Sequence, residues 1–216
     1  MIKLNPQWIE TCKDIGFKEP DIGLFQDLCQ SYSEPHRRYH TLQHLSECLA
    51  LADQDRALAQ FPSEVSYALW FHDAMYEVNR DDNELQSANW ARATLSAHGI
   101  AAEVSSRVHA LIMATSHSAQ PTTRDARLVV DIDLAILAAG TERFAEYERQ
   151  VREEYRHVPE AIFQKKRRAV LESFARRPRI YLTHAYARRY EAIARKNIGS
   201  DTNGSQHPTL PHLKEE

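Results

Sequence analysis

The sequence predicts an all-α protein. Apolar residues recur at intervals of three and four rather than in alternation, and glycine is scarce, with six in 216 residues. No Asn-Gly or Asp-Gly pair falls between alternating segments, so the usual hairpin signal is missing. At 43% hydrophobic, a chain of this length can bury one sizeable core but not comfortably two, and residues 1–198 read as a single helical domain.

The elements follow from stripes and punctuation. Leu42, Leu45, Leu49 and Ala52 share one face and predict a helix after Tyr39-His40-Thr41. Pro62-Ser63 before Glu64 marks a second helix, and its end, Tyr67 to Phe71, is so apolar that it should be buried. Asp81-Asp82 opens a helix from Glu84 to His98, which Gly99 closes. Val104, Val108, Leu111 and Ile112 make another stripe. Pro121, Gly140, Pro159 and Pro178 divide the remainder, for eight to ten helices in all. Residues 199–216, with Asn203-Gly204-Ser205 and two prolines, have too little apolar content to pack and are expected to form a disordered tail.

Composition narrows the partners. A formal charge of −3 and a pI near 6.4 give no global attraction to nucleic acid or to an anionic membrane, which favours a small-molecule substrate. Cys12, Cys29 and Cys48 are odd in number and form no C-x-x-C pair, so they read as reduced thiols rather than as a disulfide framework or zinc site. The N-terminus lacks an apolar signal region, and the best apolar run, Leu128 to Gly140, is too short to span a membrane and carries Asp131 and Asp133. A cytoplasmic protein without a membrane partner is expected. Tyr181, Tyr186 and Tyr190 read as exposed aromatics that could form a homodimer surface.

The chemistry centres on His72-Asp73. With 11 His and 12 Asp in the chain, about 0.6 such dipeptides arise by chance, so the doublet alone is weak evidence. Its position at the end of a buried helix gives it weight, because buried ionisable groups need partners or a metal. Adjacent helical positions point about 100° apart, so other helices must complete any coordination sphere. His44, on the stripe after Thr41, is the natural third ligand, and either Asp131 or Asp133 the fourth. Such a mixed nitrogen and oxygen set suits Mn²⁺, Fe²⁺, Zn²⁺, Co²⁺ or Ni²⁺ better than Ca²⁺, with Mg²⁺ also admitted.

Several segments together resemble the HD-domain superfamily of metal-dependent phosphohydrolases, in particular its small bacterial branch. They are Arg38-Tyr39-His40-Thr41 with His44-Leu45, Phe71 to Tyr76, Asp82-Asn83-Glu84 with Ser87-Ala88, Thr115-Ser116-His117, Asp131 to Leu137, and Ala194 to Asn197. The resemblance covers about residues 5–198 and implies a helical bundle like that of the cyclic-nucleotide phosphodiesterases. It implies His44, His72, Asp73 and Asp133 as metal ligands, with Asp131 as a neighbouring support or helix cap.

Further roles follow as expectations. His40 would protonate a leaving-group oxygen or contact phosphate, or else stack on Tyr39; Glu84 would orient or deprotonate the attacking water, or else complement a helix dipole. His117 would be a phosphate contact or second-metal ligand, or else a satisfied histidine near a helix C-terminus, and Arg38 would grip phosphate. The runs Lys165 to Arg168 and Arg176, Arg177 and Arg179 read as solvated faces. The implied activity is hydrolysis of a small phosphorylated molecule, such as a nucleotide, by metal-activated water. The alternatives are a di-iron oxygenase of the same fold and a catalytically silent nucleotide-binding regulator.

Overall fold

A helix that is apolar on every side has to be buried, and the one that begins at Pro62 is: Tyr67, Ala68, Leu69, Trp70 and Phe71 are fully inaccessible. The fold, taken from a computed structural model that describes residues 4–203, is built around it and is all-helical, with no strand among those residues. In chain order the helices are α1 (Leu4–Ile15), α2 (Ile22–Ser31), α3 (Leu42–Gln54), α4 (Pro62–Phe71) and α5 (Asn83–Ala97). They continue with α6 (Ala102–Ala114), α7 (Arg124–Asp133), α8 (Thr141–Glu154), α9 (Glu160–Ala175) and α10 (His184–Asn203). Short 3-10 turns cover Arg56–Leu58 and Leu134–Ala138.

Helix α4 packs against α1, α3, α5, α6 and α7. Trp8 of α1 meets Trp70 edge-on at 5.2 Å, and its indole N–H donates to the Asp21 carbonyl at 2.7 Å. The stripes behave as their spacing requires: Leu45, Leu49 and Ala52 of α3, and Val108, Leu111 and Ile112 of α6, are buried, while Leu42 and Val104 lie at the edge of the core. Gly99 follows α5 with φ +72°, a conformation that an L side chain resists, so the helix stops where the glycine sits.

Buried carboxylates stitch the bundle together at helix starts. Asp125 of α7 accepts from the amides of Gln60 and Phe61, at 2.6 and 2.8 Å, just before α4 begins. Asp125→Ala leaves both amides unpaired and is expected to lower the unfolding free energy by about 1–2 kcal/mol. Urea titration of the variant measures this, and an unchanged midpoint would show that the two bonds contribute nothing. Asp131 does the same at the far end, accepting from Leu182 and Thr183 at 2.7 Å each. Burial raises its carboxyl to about 6 against the lowering effect of those bonds.

Two expectations need correction. Tyr181 and Tyr186 are fully buried and Tyr190 packs against the core, the three rings leaning on one another at 5.3 to 6.3 Å, so they are an internal cluster and no dimer surface. Their hydroxyl-bearing rings looked like surface residues, but α10 and the segment leading into it pack against the 3-10 turn, where Tyr181 donates to the Leu134 carbonyl. Helix α10 also runs through Gly199 to Asn203, past the boundary expected at residue 198, because Asn197 and Ile198 are still anchored, the former to the Leu137 and Ala139 carbonyls. Residues 204–216 of the expected tail lie outside the described residues. No helix of the described residues is long and apolar enough to cross a membrane. Cys12, Cys29 and Cys48 are free, Cys29 half-buried and the others buried.

Candidate metal centre

Three helices and two turns deliver the site. Helix α3 begins at Thr41, whose hydroxyl accepts from the Gln43 amide, and its first full turn points His44 inward. His72 caps the end of α4 and Asp73 follows it in the turn, while Asp133 ends α7. The ends of two buried helices thus meet one face of a third.

The four expected ligand residues converge. Nε2 of His44 lies 3.1 Å from Nε2 of His72 and 3.2 Å from Oδ1 of Asp133. Oδ2 of Asp73 lies 3.1 Å from Nε2 of His72 and 3.5 Å from that of His44. Both imidazoles are buried, and both carboxylates are largely so. Cys48, one turn along α3, adds a thiol at 3.8 Å from Nε2 of His44, which sequence reasoning left among the core thiols. Burial and the charges of Asp133 and Asp73 raise that thiol well above its ordinary range, so beside these carboxylates it is neutral.

The rings are oriented from behind. Nδ1 of His72 is 2.8 Å from the Leu69 carbonyl, which can only accept, so the proton is on Nδ1 and Nε2 presents a lone pair when the ring is neutral. Nδ1 of His44 is 3.0 Å from the buried Tyr39 hydroxyl. With only protein groups around it, burial lowers His72 but the charges of Asp73 and Asp133 override this and hold it up at about 9. Burial alone would raise Asp73, yet His72, His40 and His44 hold it well below the usual carboxylate range, and His117 and His44 do the same to Asp133.

This set fits a divalent ion. Two imidazole nitrogens bound to one ion at about 2.0–2.1 Å stand about 2.9–3.4 Å apart, and the observed 3.1 Å falls inside that interval. His44, His72, Asp73 and Asp133 would hold it, with Cys48 alongside. Tyr39→Phe removes the support behind His44 and is expected to weaken divalent-ion binding by about tenfold without unfolding the protein. Titration of the metal-stripped variant with Co²⁺ would read this, and an unchanged affinity would deny the tyrosine that role.

The other expected site residues separate into groups. His117 is brought in: its Nε2 lies 3.3 Å from Oδ2 of Asp133, and its backbone sits in the left-handed region at φ 54°. His40 precedes α3 rather than sharing its face, and its ring is 6.2 Å from that of His44, stacked at 4.0 Å on Tyr76 and edge-on to Tyr39. Glu84 sits in the first turn of α5 and makes no ion pair or hydrogen bond with any of these groups among the described residues. Arg38 turns outward to Glu153 at 3.2 Å. Its neighbour Arg37 is the buried one, donating to the carbonyls of Asp73 at 2.6 Å and Ala74 at 2.9 Å, so it pins the His-Asp turn to the loop before α3.

Glu154, which sequence reasoning missed, organises that loop. Its Oε1 accepts from the amides of Arg38, Tyr39 and His40 at 2.8 to 3.0 Å, and its Oε2 faces Nδ1 of His40 at 2.8 Å and the Tyr76 hydroxyl at 3.0 Å. Burial lowers the imidazolium of His40, but Asp73 and Glu154 more than compensate and raise it above its ordinary value. His40 also lines a cavity of about 480 Å³ walled by Val151, Val158, Phe163 and Lys166. No family model, curated protein or solved structure matches the chain.

Proposed function

We propose that this protein is a metal-dependent phosphohydrolase of the HD type, acting on a small phosphorylated molecule such as a nucleotide. The observation that carries this reading is a pair of imidazole Nε2 atoms 3.1 Å apart with a carboxylate oxygen of Asp73 and one of Asp133 each within 3.7 Å of both, and with His72 fixed so that its lone pair faces inward. Bare nitrogens and carboxylates repel one another unless protons or a cation lie between them, and a divalent cation uses every group present. An ion held there would polarise a phosphoryl oxygen and make water nucleophilic at neutral pH.

The chain supplies the remaining work. His40, with Nδ1 held by Glu154 and its basicity raised above the ordinary value, can deliver a proton from Nε2 to a leaving oxygen. The leaving group would occupy the cavity that His40 lines. Arg37 and Glu154 hold both loops in register, so the geometry is set before substrate arrives. Glu84, lacking contact with the cluster, has no part in this scheme.

A second reading rests on Asp133, which turns Oδ1 to His44 and His72 and Oδ2 to His117. A carboxylate so placed could bridge two ions, as a di-iron oxygenase of this fold would require. Metal analysis of purified protein, followed by a phosphate-release screen with the ion found, separates the two. One Mn²⁺, Co²⁺ or Ni²⁺ with phosphate release supports hydrolysis; two irons per chain without it support oxygen chemistry. A folded protein that takes up no divalent ion under any loading condition overturns both, and full metal loading with ligand binding but no turnover favours the silent regulator.

A further inference from the structure

The run Arg176, Arg177 and Arg179 does not behave as a single solvated face. Arg176 pairs with Glu172, as an exposed helical arginine should. Arg177 and Arg179 pair with no carboxylate among the described residues, and what sets them apart from other such arginines is the cavity they share. Both unpaired arginines line a cavity of about 440 Å³ with His117, Ser118, Gln120 and Leu182, and no Asp or Glu lines it. In a protein of net charge −3, a concave surface holding two guanidiniums, an imidazole and no acid is a local inversion of sign.

The cavity is built and held. Arg195 donates to the carbonyls of Ala175, Arg177 and Pro178, and Glu191 accepts from the amides of Ile180 and Tyr181, so both ends of the loop bearing the two arginines are fixed. The Arg177 guanidinium lies 4.5 Å above the Phe174 ring, and Phe174 stands edge-on to His117 at 5.7 Å. Burial lowers the basicity of Arg177, the cost of desolvating a cation that no acid repays. His117 bounds the same cavity with its backbone in the left-handed region, which histidine visits more readily than most side chains. That histidine also touches Asp133, so one side chain joins the cavity to the candidate metal centre.

We infer that this cavity is an anion site taking a dianionic phosphate group, gripped by Arg177 and Arg179 and bounded by His117. It takes the non-reacting phosphate of a substrate whose other phosphate lies at the metal centre. The second clause rests on the phosphohydrolase reading; the anion site itself does not. Planar guanidiniums match phosphate oxygens in pairs, and a loop already held at both ends need not be ordered when the anion binds.

Inorganic phosphate titrated calorimetrically into the EDTA-treated full chain tests the site apart from any metal. Wild type should bind with a dissociation constant of about 1 mM or tighter, and Arg177→Gln/Arg179→Gln should weaken this at least about tenfold. Arg179→Gln alone, at an exposed side chain that cannot perturb the core, should weaken it severalfold, and Lys165→Gln should leave it unchanged. No binding by wild type, or equal binding by the double variant, overturns the inference. With metal-loaded protein, alkanediol bisphosphates of increasing length should outbind the matching monophosphates, a preference the double variant loses. If no length gains affinity, the site takes free phosphate and the substrate clause falls. Phosphate binding through the arginines in a protein that hydrolyses nothing would sink the proposed function and leave the anion site standing.

Discussion

Asp133→Asn is expected to reduce divalent-ion affinity by at least about 100-fold, while Asp131→Asn changes it by no more than a few fold. The two residues are two positions apart, separated only by Ile132, and each substitution keeps the size and shape of the side chain. Only their surroundings differ: Asp133 faces His44, His72 and His117, whereas Asp131 is spent on the amides of Leu182 and Thr183. Replacing the Asp133 carboxylate by an amide removes the charge that offsets an ion and puts N–H groups where lone pairs are needed. Equilibrium dialysis against Co²⁺ or Mn²⁺, with circular dichroism to confirm folding, gives both affinities. Phosphate release, once an active ion is known, should fall in parallel for Asp133→Asn. Equal retention of metal by both variants would mean that Asp133 merely pairs with protonated histidines, and the metal reading would lose its fourth ligand.

That contrast shows what a sequence can and cannot specify. The helices were legible because their signals are local: Pro62 at the start of α4, Gly99 after α5, and stripes whose period is that of the helix itself. The buried end of α4 was legible for the same reason, and with it the expectation that His72 and Asp73 need partners. Their actual partners were not, since convergence of α3, α4 and α7 is a tertiary fact. Glu154 carried no local signal: it is one of eight charged residues in the 14-residue helix α8, and only the approach of the loop before α3 separates it from Glu153, which stays exposed. Arg37 and Arg38 are equally indistinct in sequence, yet one is buried beneath the His-Asp turn and the other faces solvent. Tyr181 and Tyr186 misled because a hydroxyl on an aromatic ring permits either environment.

Glu154→Gln is expected to destabilise the protein by about 3 kcal/mol at pH 7, with a deficit that shrinks as the solution is acidified. In the folded protein burial alone would raise this carboxyl, but the hydrogen bond and charge of His40, with the amides of Arg38 and His40, outweigh it and hold it at about 2 instead of 4.5. A carboxyl whose folded value is depressed gives stability that is fully present above its unfolded value. That stability disappears as the pH falls from about 4.5 toward 2. The groups facing it are His40 and Tyr76 at Oε2 and three backbone amides at Oε1, while the nearby Arg38 guanidinium is engaged with Glu153. Glutamine supplies one acceptor in place of two and turns an N–H toward a donor, so the loop from Arg38 to His40 loses its anchor along with the charge. Urea midpoints for wild type and variant at pH 7, 5 and 3 test this directly: a difference that stays constant across the three would show that the carboxylate charge contributes nothing. Because Glu154 also fixes Nδ1 of His40, any phosphate release should lose kcat more than KM in this variant, while the metal content set by His44, His72, Asp73 and Asp133 stays intact. A variant that loses its metal instead would show that the Glu154 anchor holds His44 in place through the adjoining turn, rather than acting on His40 alone.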